Sequence, residues 1–478
     1  MQSQKGLLEP SSGLVKPSSS QSSPSRIKPQ SLLIIGNGGA AIHAIQAIRA
    51  AGYKGTLHLV SDTTGPAFNP MLSPYYLAGE ISLEQCFPFG QHFYETNSVI
   101  CHFGSPAEGL DAVDRKVYLK GGESISYDRC LVATGASSDL PPAPGLRDSQ
   151  YVFMLRTAEQ MIRLYRALSG VRKAVILGAS LLGIQLAEIL IRRGIKVTLV
   201  DLTTQILPFT AHFKLAPILH QHLTKCGVDL RLGWVLRWVE DVQDGVHLHF
   251  QDDQILKADM VLVCTGVKPN IEFLKDTEIE IDQGILVDDH MQTSVNDIYA
   301  AGDVSQGMNP VRNFSSVRVD TDGALNPAAK QRGTLSNGVN QLSGKRERIG
   351  LWGNACYQGR TAGLNMAGLD TSYPGFLQQH IAAFFGLTFV HLGDINPQDK
   401  EIETLENFNH SESTFRLLVF DRGVLIGANL INCHEEAGWL KTDMIRAMAQ
   451  LKNRDRYIFY PSGKEVEVTK PIFHSFVH

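Results

Sequence analysis

The sequence is poor in the sulfur arrangements that carry chemistry. Its seven cysteines stand at positions 86, 101, 130, 226, 264, 356 and 433. No two form a CxxC pair, so neither a zinc site nor an iron–sulfur cluster on this chain is indicated. An excess of charge of one sign is also missing: 44 Lys and Arg face 48 Asp and Glu, a net −4. That balance gives no electrostatic case for nucleic acid or an anionic membrane as partner. No apolar run reaches the ~20 residues of a membrane span. Residues 1–30 lack apolar periodicity and the apolar core of a secretory signal; rich in Ser, Pro, Gln and Lys, they read as a disordered tail. Scattered thiols of this kind suit a reducing compartment, and a cytoplasmic location is expected.

What is present begins at Leu32–Asp62. An apolar run, Leu32 to Ile35, enters Gly36-Asn37-Gly38-Gly39-Ala40-Ala41. A stretch with helical apolar spacing follows, Ile42 to Ala51, and then a second apolar run, Leu57–Val60, ending at Ser61-Asp62. This is the β–turn–α–β order of a dinucleotide fold. Gly36 permits the tight turn, Gly38 lets the backbone approach a pyrophosphate, and the small Ala41 lets helix and strand pack closely. The pyrophosphate would sit on unpaired N–H groups at the helix N-terminus, where the dipole favours negative charge. Asp62, or Ser61 beside it, is placed to accept from a ribose hydroxyl.

A second copy runs from Ala174 to Asp201. An apolar strand leads into Gly178-Ala179-Ser180-Leu181-Leu182-Gly183, a helix follows, and the strand Val197–Val200 closes on Asp201. Ser180 replaces the middle glycine. A carboxylate at Asp201 accepts from the 2′-OH of NAD and repels a 2′-phosphate. No Arg or Lys occupies residues 202–208, so NADH is favoured over NADPH. Two such units mean two dinucleotides or two halves of a repeat. The spacing of the other motifs decides for two. Each unit is followed at a distance by an apolar strand ending in Thr-Gly, at Thr134-Gly135 and Thr265-Gly266, and the second is followed by Thr293–Val304 with Gly302-Asp303.

This set, in this order, resembles the FAD-dependent pyridine nucleotide-disulfide oxidoreductase superfamily over about residues 31–310 and 350–478. The resemblance implies an α/β fold with two Rossmann-like dinucleotide-binding domains and a C-terminal α+β interface domain. It places an FAD domain at 31–148 and 269–370, an NAD domain at 149–268, and an interface domain, often dimerising, at 371–478. FAD would lie against Gly36, Gly38, Gly39, Ala40, Ala41, Ser61 and Asp62. Asp303, after Gly302, would hydrogen-bond its ribityl chain, and Thr134-Gly135 would pass close by. The helix read at Trp352–Ala367 would aim its N-terminus at the flavin, with Ala355 and Gln358 as near contacts; its dipole would stabilise reduced flavin. Pro74, within Phe68–Glu80, would border the isoalloxazine. NAD(H) would use Gly178, Ser180, Gly183, Asp201, Thr265 and Gly266. Residues 311–345 break the pattern, polar and without a sustained period, and read as an insertion in an exposed loop.

In the disulfide- and peroxide-reducing branches of this superfamily a redox cysteine stands near the position of Met71, or a CxxxxC pair is present. This sequence has neither. A thioether forms no thiolate. The flavin must therefore pass electrons directly onward, as in the ferredoxin and rubredoxin reductase-like branch. The expected activity is electron transfer between NADH and an iron–sulfur carrier: ferredoxin, rubredoxin or a sister subunit, in a homodimer or hetero-oligomer. Hydride transfer between stacked rings needs no acid–base residue, so no catalytic side chain is assigned. One alternative is an NADH oxidase or a CoA-disulfide or polysulfide reductase, in which Cys86 or Cys101 would have to substitute. Another is a non-catalytic flavin redox sensor.

Overall fold

The computed structural model describes residues 29–308 and 346–453, apart from 398–401, 410, 412 and 422, together with short strands at Tyr457–Phe459 and Glu465–Glu467. The tail at 1–28 and the insertion expected at 311–345 lie outside the described residues.

Two five-stranded parallel sheets organise the chain. The first has the order Ile298–Ala300, Arg129–Val132, Ser31–Ile35, Thr56–Val60, Ile100–His102. The second has the order Asp229–Leu232, Lys196–Asp201, Lys173–Leu177, Met260–Val263, Val152–Phe153. Their central strands are unbroken apolar runs because both faces are covered; Leu32, Leu33 and Ile34 are wholly buried. Helices α1 (Gly39–Ala50), α2 (Ser73–Ala78), α3 (Leu181–Arg192), α4 (Trp352–Met366) and α5 (Ala437–Asn453) pack on the sheets or on one another. Helix α4 crosses α1 with the backbones in contact. A Cβ at Gly359 would lie 2.1 Å from the Ala40 carbonyl oxygen, and one at Gly363 2.6 Å from that of Ala44. These glycines, four residues apart on one helix face, let the middle and last turns of α4 lie against the first half of α1.

Residues 124–132 serve two sheets. Ser124–Ser126 closes a small antiparallel sheet with Ala107–Asp111 and Lys116–Leu119, whereas Arg129–Val132 joins the first parallel sheet. Asp128 makes the corner, its carboxylate accepting from the N–H groups of Gln30 (2.6 Å) and Ser31 (2.9 Å) and so fixing the start of the first strand. The two crossings between the parallel sheets, Ala136–Ser138 and Val267–Pro269, run antiparallel side by side.

A third sheet, Leu236–Val242, Gly245–Phe250 and Ile255–Ala258, lays Val246, Leu248 and Phe250 on Val175, Leu177, Val261 and Val263 of the second parallel sheet. The C-terminal part is a five-stranded antiparallel sheet carrying α5, whose Leu440 and Met444 are buried with Val390, Leu392 and Leu430. The architecture is the expected α/β arrangement of two Rossmann-like units with an α+β C-terminal unit. Among the described residues no helix is long and apolar enough to cross a membrane.

Candidate dinucleotide sites

Strand register gathers the first set of predicted residues. Ile35 pairs with Val60 and with Val132, and Val132 pairs with Ala300. Gly36, Ser61, Thr134-Gly135 and Gly302-Asp303 therefore leave one carboxyl edge together, where open α/β sheets form their ligand crevice. Gly36 has φ +109°, and a Cβ there would lie 2.2 Å from the Ala133 carbonyl oxygen, so no other residue fits. Gly38 differs. Its backbone is extended (φ −107°, ψ −166°), nothing lies within 4 Å of where its Cβ would be, and no side chain caps α1. The protein's own packing does not require glycine at 38, and the open space beside it leaves the helix N–H groups accessible to a ligand. A Cβ at Gly39 would meet the Trp352 indole at 3.1 Å, and one at Gly302 would lie 3.3 Å from the Ala40 Cβ and 3.5 Å from that of Ala355. Ala40 and Ala41 are buried, small because α4 and the sheet press on α1.

Around this edge the polar groups are held from far along the chain. Asp303, 15% exposed in its side chain, receives the Arg156 guanidinium at 2.9 Å, and Arg156 Nε also donates to the Ala136 carbonyl (3.2 Å). Gln358 is buried; its Oε1 accepts from the Gly302 N–H (2.9 Å) and the Ser305 hydroxyl (3.1 Å), fixing the turn that presents Asp303. The Thr134 hydroxyl donates to the Asn270 carbonyl (2.8 Å), and the Asn270 amide donates to the Thr134 carbonyl (2.9 Å). Gly135 has φ +65° with open space beside it. Ser61 is buried, its oxygen accepting the Thr63 N–H (3.2 Å), and Asp62 is exposed at the strand end. Pro74 is buried in the first turn of α2.

The second edge repeats the first. Leu177 pairs with Val200 and Val263, so Gly178, Asp201 and Thr265-Gly266 leave together. Gly178 has φ +108°, and a Cβ there would lie 2.4 Å from the Cys264 carbonyl oxygen; one at Gly183 would lie 2.2 Å from that of Gly178. The Thr265 hydroxyl donates to the Asp139 carbonyl (2.6 Å), and Gly266 at φ +118° borders open space. Two details differ. Ser180 caps α3: its Oγ accepts the Gly183 N–H (3.3 Å) and donates to the Cys264 carbonyl (3.1 Å), spending one first-turn donor that α1 leaves open. Asp201 accepts from the Ala179 N–H (2.7 Å) on Oδ2 and from the Thr203 N–H (2.8 Å) and hydroxyl (2.7 Å) on Oδ1. A carboxylate offers about four lone-pair directions, so capacity for a ribose hydroxyl remains.

Three positions went unnoticed in the sequence. Arg156, the partner of Asp303, is one. The others are Ser73 and Arg348, whose Oγ and Nη1 are buried without a hydrogen-bond partner. They lie at the head of α2 and in the lead into α4. A buried unpaired polar atom costs ~1–3 kcal/mol, which a ligand atom recovers. With the uncapped α1 and the open glycines, the residues present fit two dinucleotides.

Residues 30–359 match the family model described as pyridine nucleotide-disulphide oxidoreductase. The chain belongs to this family. As a pyridine nucleotide-disulphide oxidoreductase it is an enzyme working with FAD and NAD(H). It is 28% identical over 440 residues to the NADH-dependent phenylglyoxylate dehydrogenase subunit epsilon of Aromatoleum evansii, covering 91% of this chain and 96% of that one. It is 27% identical over 372 residues to the NADH-rubredoxin oxidoreductase of Clostridium acetobutylicum, covering 77% and 83%. The crystal structure of a covalent putidaredoxin reductase–putidaredoxin complex shares the fold, with a TM-score of 0.75 and 20% identity over 89% of this chain and 98% of that one.

Proposed function

We propose that this oxidoreductase moves electrons between NAD(H) and an external iron–sulfur carrier or sister subunit through FAD alone, in the cytoplasm. The observation that carries this reading is the state of its sulfur. Met71, near which the resemblance sets the redox cysteine of the thiol-dependent branches, is 54% exposed. The nearest substitute, Cys86, is wholly buried, although its carbonyl accepts from Asn69 N–H two residues before Met71. Burial raises its thiol pKa, and pushes that of Cys101 up to about 11. Burial likewise takes Cys356 and Cys433 to about 11 and Cys264 to about 12. Thiols held this high are protonated at neutral pH and are poor nucleophiles.

In this reading residues 31–148 and 269–370 hold FAD, 149–268 hold NAD(H), and 371–478 form the interface. Bound FAD supplies the exchange between two-electron hydride and single-electron chemistry. The chain's own groups do the holding. The N–H groups at the head of α1 take the pyrophosphate, Asp303 a hydroxyl of the ribityl chain, and the N-terminus of α4, with Ala355 and Gln358, faces the flavin. Asp201 takes the nicotinamide-side dinucleotide's adenosine ribose.

Rapid mixing with NADH is expected to bleach the flavin absorbance while the number of titratable thiols stays the same. A pair of newly reactive thiols after reduction would instead establish the thiol-dependent alternative. The Asp201→Ala variant is expected to raise KM for NADH by ~10-fold or more with kcat little changed, because the contact serves ground state and transition state alike. Steady-state kinetics against a fixed acceptor checks it.

A further inference from the structure

The third sheet turns one face to the core and the other outward. With Val246, Leu248 and Phe250 buried, alternation along the strand puts His247 and His249 on the outward face. Antiparallel register sets Glu240 opposite His247 and Trp238 opposite His249. Glu240 Oε1 lies 3.4 Å from His247 Nδ1 and 3.3 Å from His249 Nε2, and the three ligand atoms are all within 4.8 Å of one another. The Trp238 indole lies flat on the His249 ring, centroids 4.2 Å apart and planes within 9°. None of these residues belongs to either dinucleotide edge.

We propose that Glu240, His247 and His249 bind a divalent first-row transition ion such as Zn²⁺, Ni²⁺ or Cu²⁺. Metal–ligand bonds of ~2.0–2.1 Å at tetrahedral angles hold their donor atoms ~3.3–3.4 Å apart. Both carboxylate-to-imidazole separations have that length. The donor types select the ion: imidazole suits zinc, nickel and copper, whereas calcium and magnesium demand oxygen. The two histidines project from one strand and the carboxylate from its hydrogen-bonded neighbour, so the backbone ladder sets the spacing before any ion arrives. Stacking on Trp238 holds the His249 ring in its ligating orientation. Three protein ligands leave a fourth position to water. Lys257, opposite His247 on the other neighbouring strand, is exposed, and its ammonium can turn to solvent. A bound ion would staple Leu236–Val242 to Gly245–Phe250 and stabilise this sheet by mass action.

The test uses tag-free full-length holoprotein. Equilibrium dialysis against ZnCl₂ is expected to show one tightly held equivalent per chain. The His247→Gln/His249→Gln double variant should lack it, and Glu240→Gln should weaken it at least ~10-fold. A second measurement reads the site directly. Ni²⁺ or Cu²⁺ should quench tryptophan fluorescence in the native protein, with the same midpoint as binding, and the quenched component should be absent from Trp238→Phe. Flavin reduction by NADH should be the same in all these variants. Equal zinc stoichiometry in the native protein and the double variant, or quenching that survives Trp238→Phe, would overturn the assignment.

Discussion

Replacing Gly36 with Val is expected to give protein without flavin, whereas the same change at Gly178 leaves flavin bound and abolishes its reduction by NADH. The two glycines are equivalent in backbone and in what a side chain there would meet. Each follows the central strand of a parallel sheet, each has φ near +108°, and each would drive a Cβ into the carbonyl oxygen of a neighbouring strand end, Ala133 for Gly36 and Cys264 for Gly178. A β-branched residue at such a φ costs ~1–3 kcal/mol in backbone strain alone. The overlap at 2.2 Å or 2.4 Å then forces the turn away from the strand beside it. Because the helix starts three residues later in each case, displacing the turn displaces the N–H groups proposed to hold the pyrophosphate. A loss of ~3 kcal/mol is ~100-fold in affinity. The ratio of flavin to protein absorbance in purified samples, with stopped-flow mixing against NADH, reads the two outcomes separately. Flavin lost equally from both variants would contradict the assignment of one dinucleotide to each edge.

These glycines illustrate what the sequence makes legible. Apolar runs, glycine turns and strand-terminal Thr-Gly or Gly-Asp pairs are local patterns, and parallel register converts them into shared edges. Hence Gly36, Thr134 and Gly302, far apart in the chain, meet because Ile35, Val132 and Ala300 are paired. The antiparallel hairpin of Thr414–Asp421 and Val424–Ile431 is likewise local, two apolar runs joined at a tight turn with Gly423. Helix α2 carried an available signal, with Pro74 in its first turn and Gly79 in the left-handed conformation at its end. What local pattern does not encode is pairing at a distance. Asp128 tying the corner between two sheets to Gln30 and Ser31, and Trp352 lying over Gly39, follow from how finished elements meet. The same holds for Ser180, whose place in a glycine motif suggests reduced phosphate approach but whose hydroxyl turns inward to cap α3.

Arg156 and Asp303, 147 residues apart in sequence, supply the other large expected effect. Asp303→Ala should lower flavin affinity ~100-fold, and Arg156→Gln by less, ~10-fold. The inequality follows from position. The Asp303 carboxylate stands at the first sheet's edge beside the Gly302 turn, so its removal deletes the acceptor proposed for the ribityl chain and also leaves a three-quarters buried guanidinium with only the Ala136 carbonyl. An unpaired buried charge costs more than the pair itself contributes. Removing Arg156 strands the Asp303 carboxylate in turn, but keeps that acceptor in place on a turn still held by Gln358, which binds the Gly302 N–H independently. The Asp303→Ala/Arg156→Gln double variant should therefore lose less than the sum of its single variants, because neither charge remains to be stranded. Flavin dissociation constants from fluorescence titration of the reconstituted apoprotein measure all three. Strict additivity would mean that Arg156 and Asp303 act on the cofactor separately, and that their ion pair has no part in positioning it.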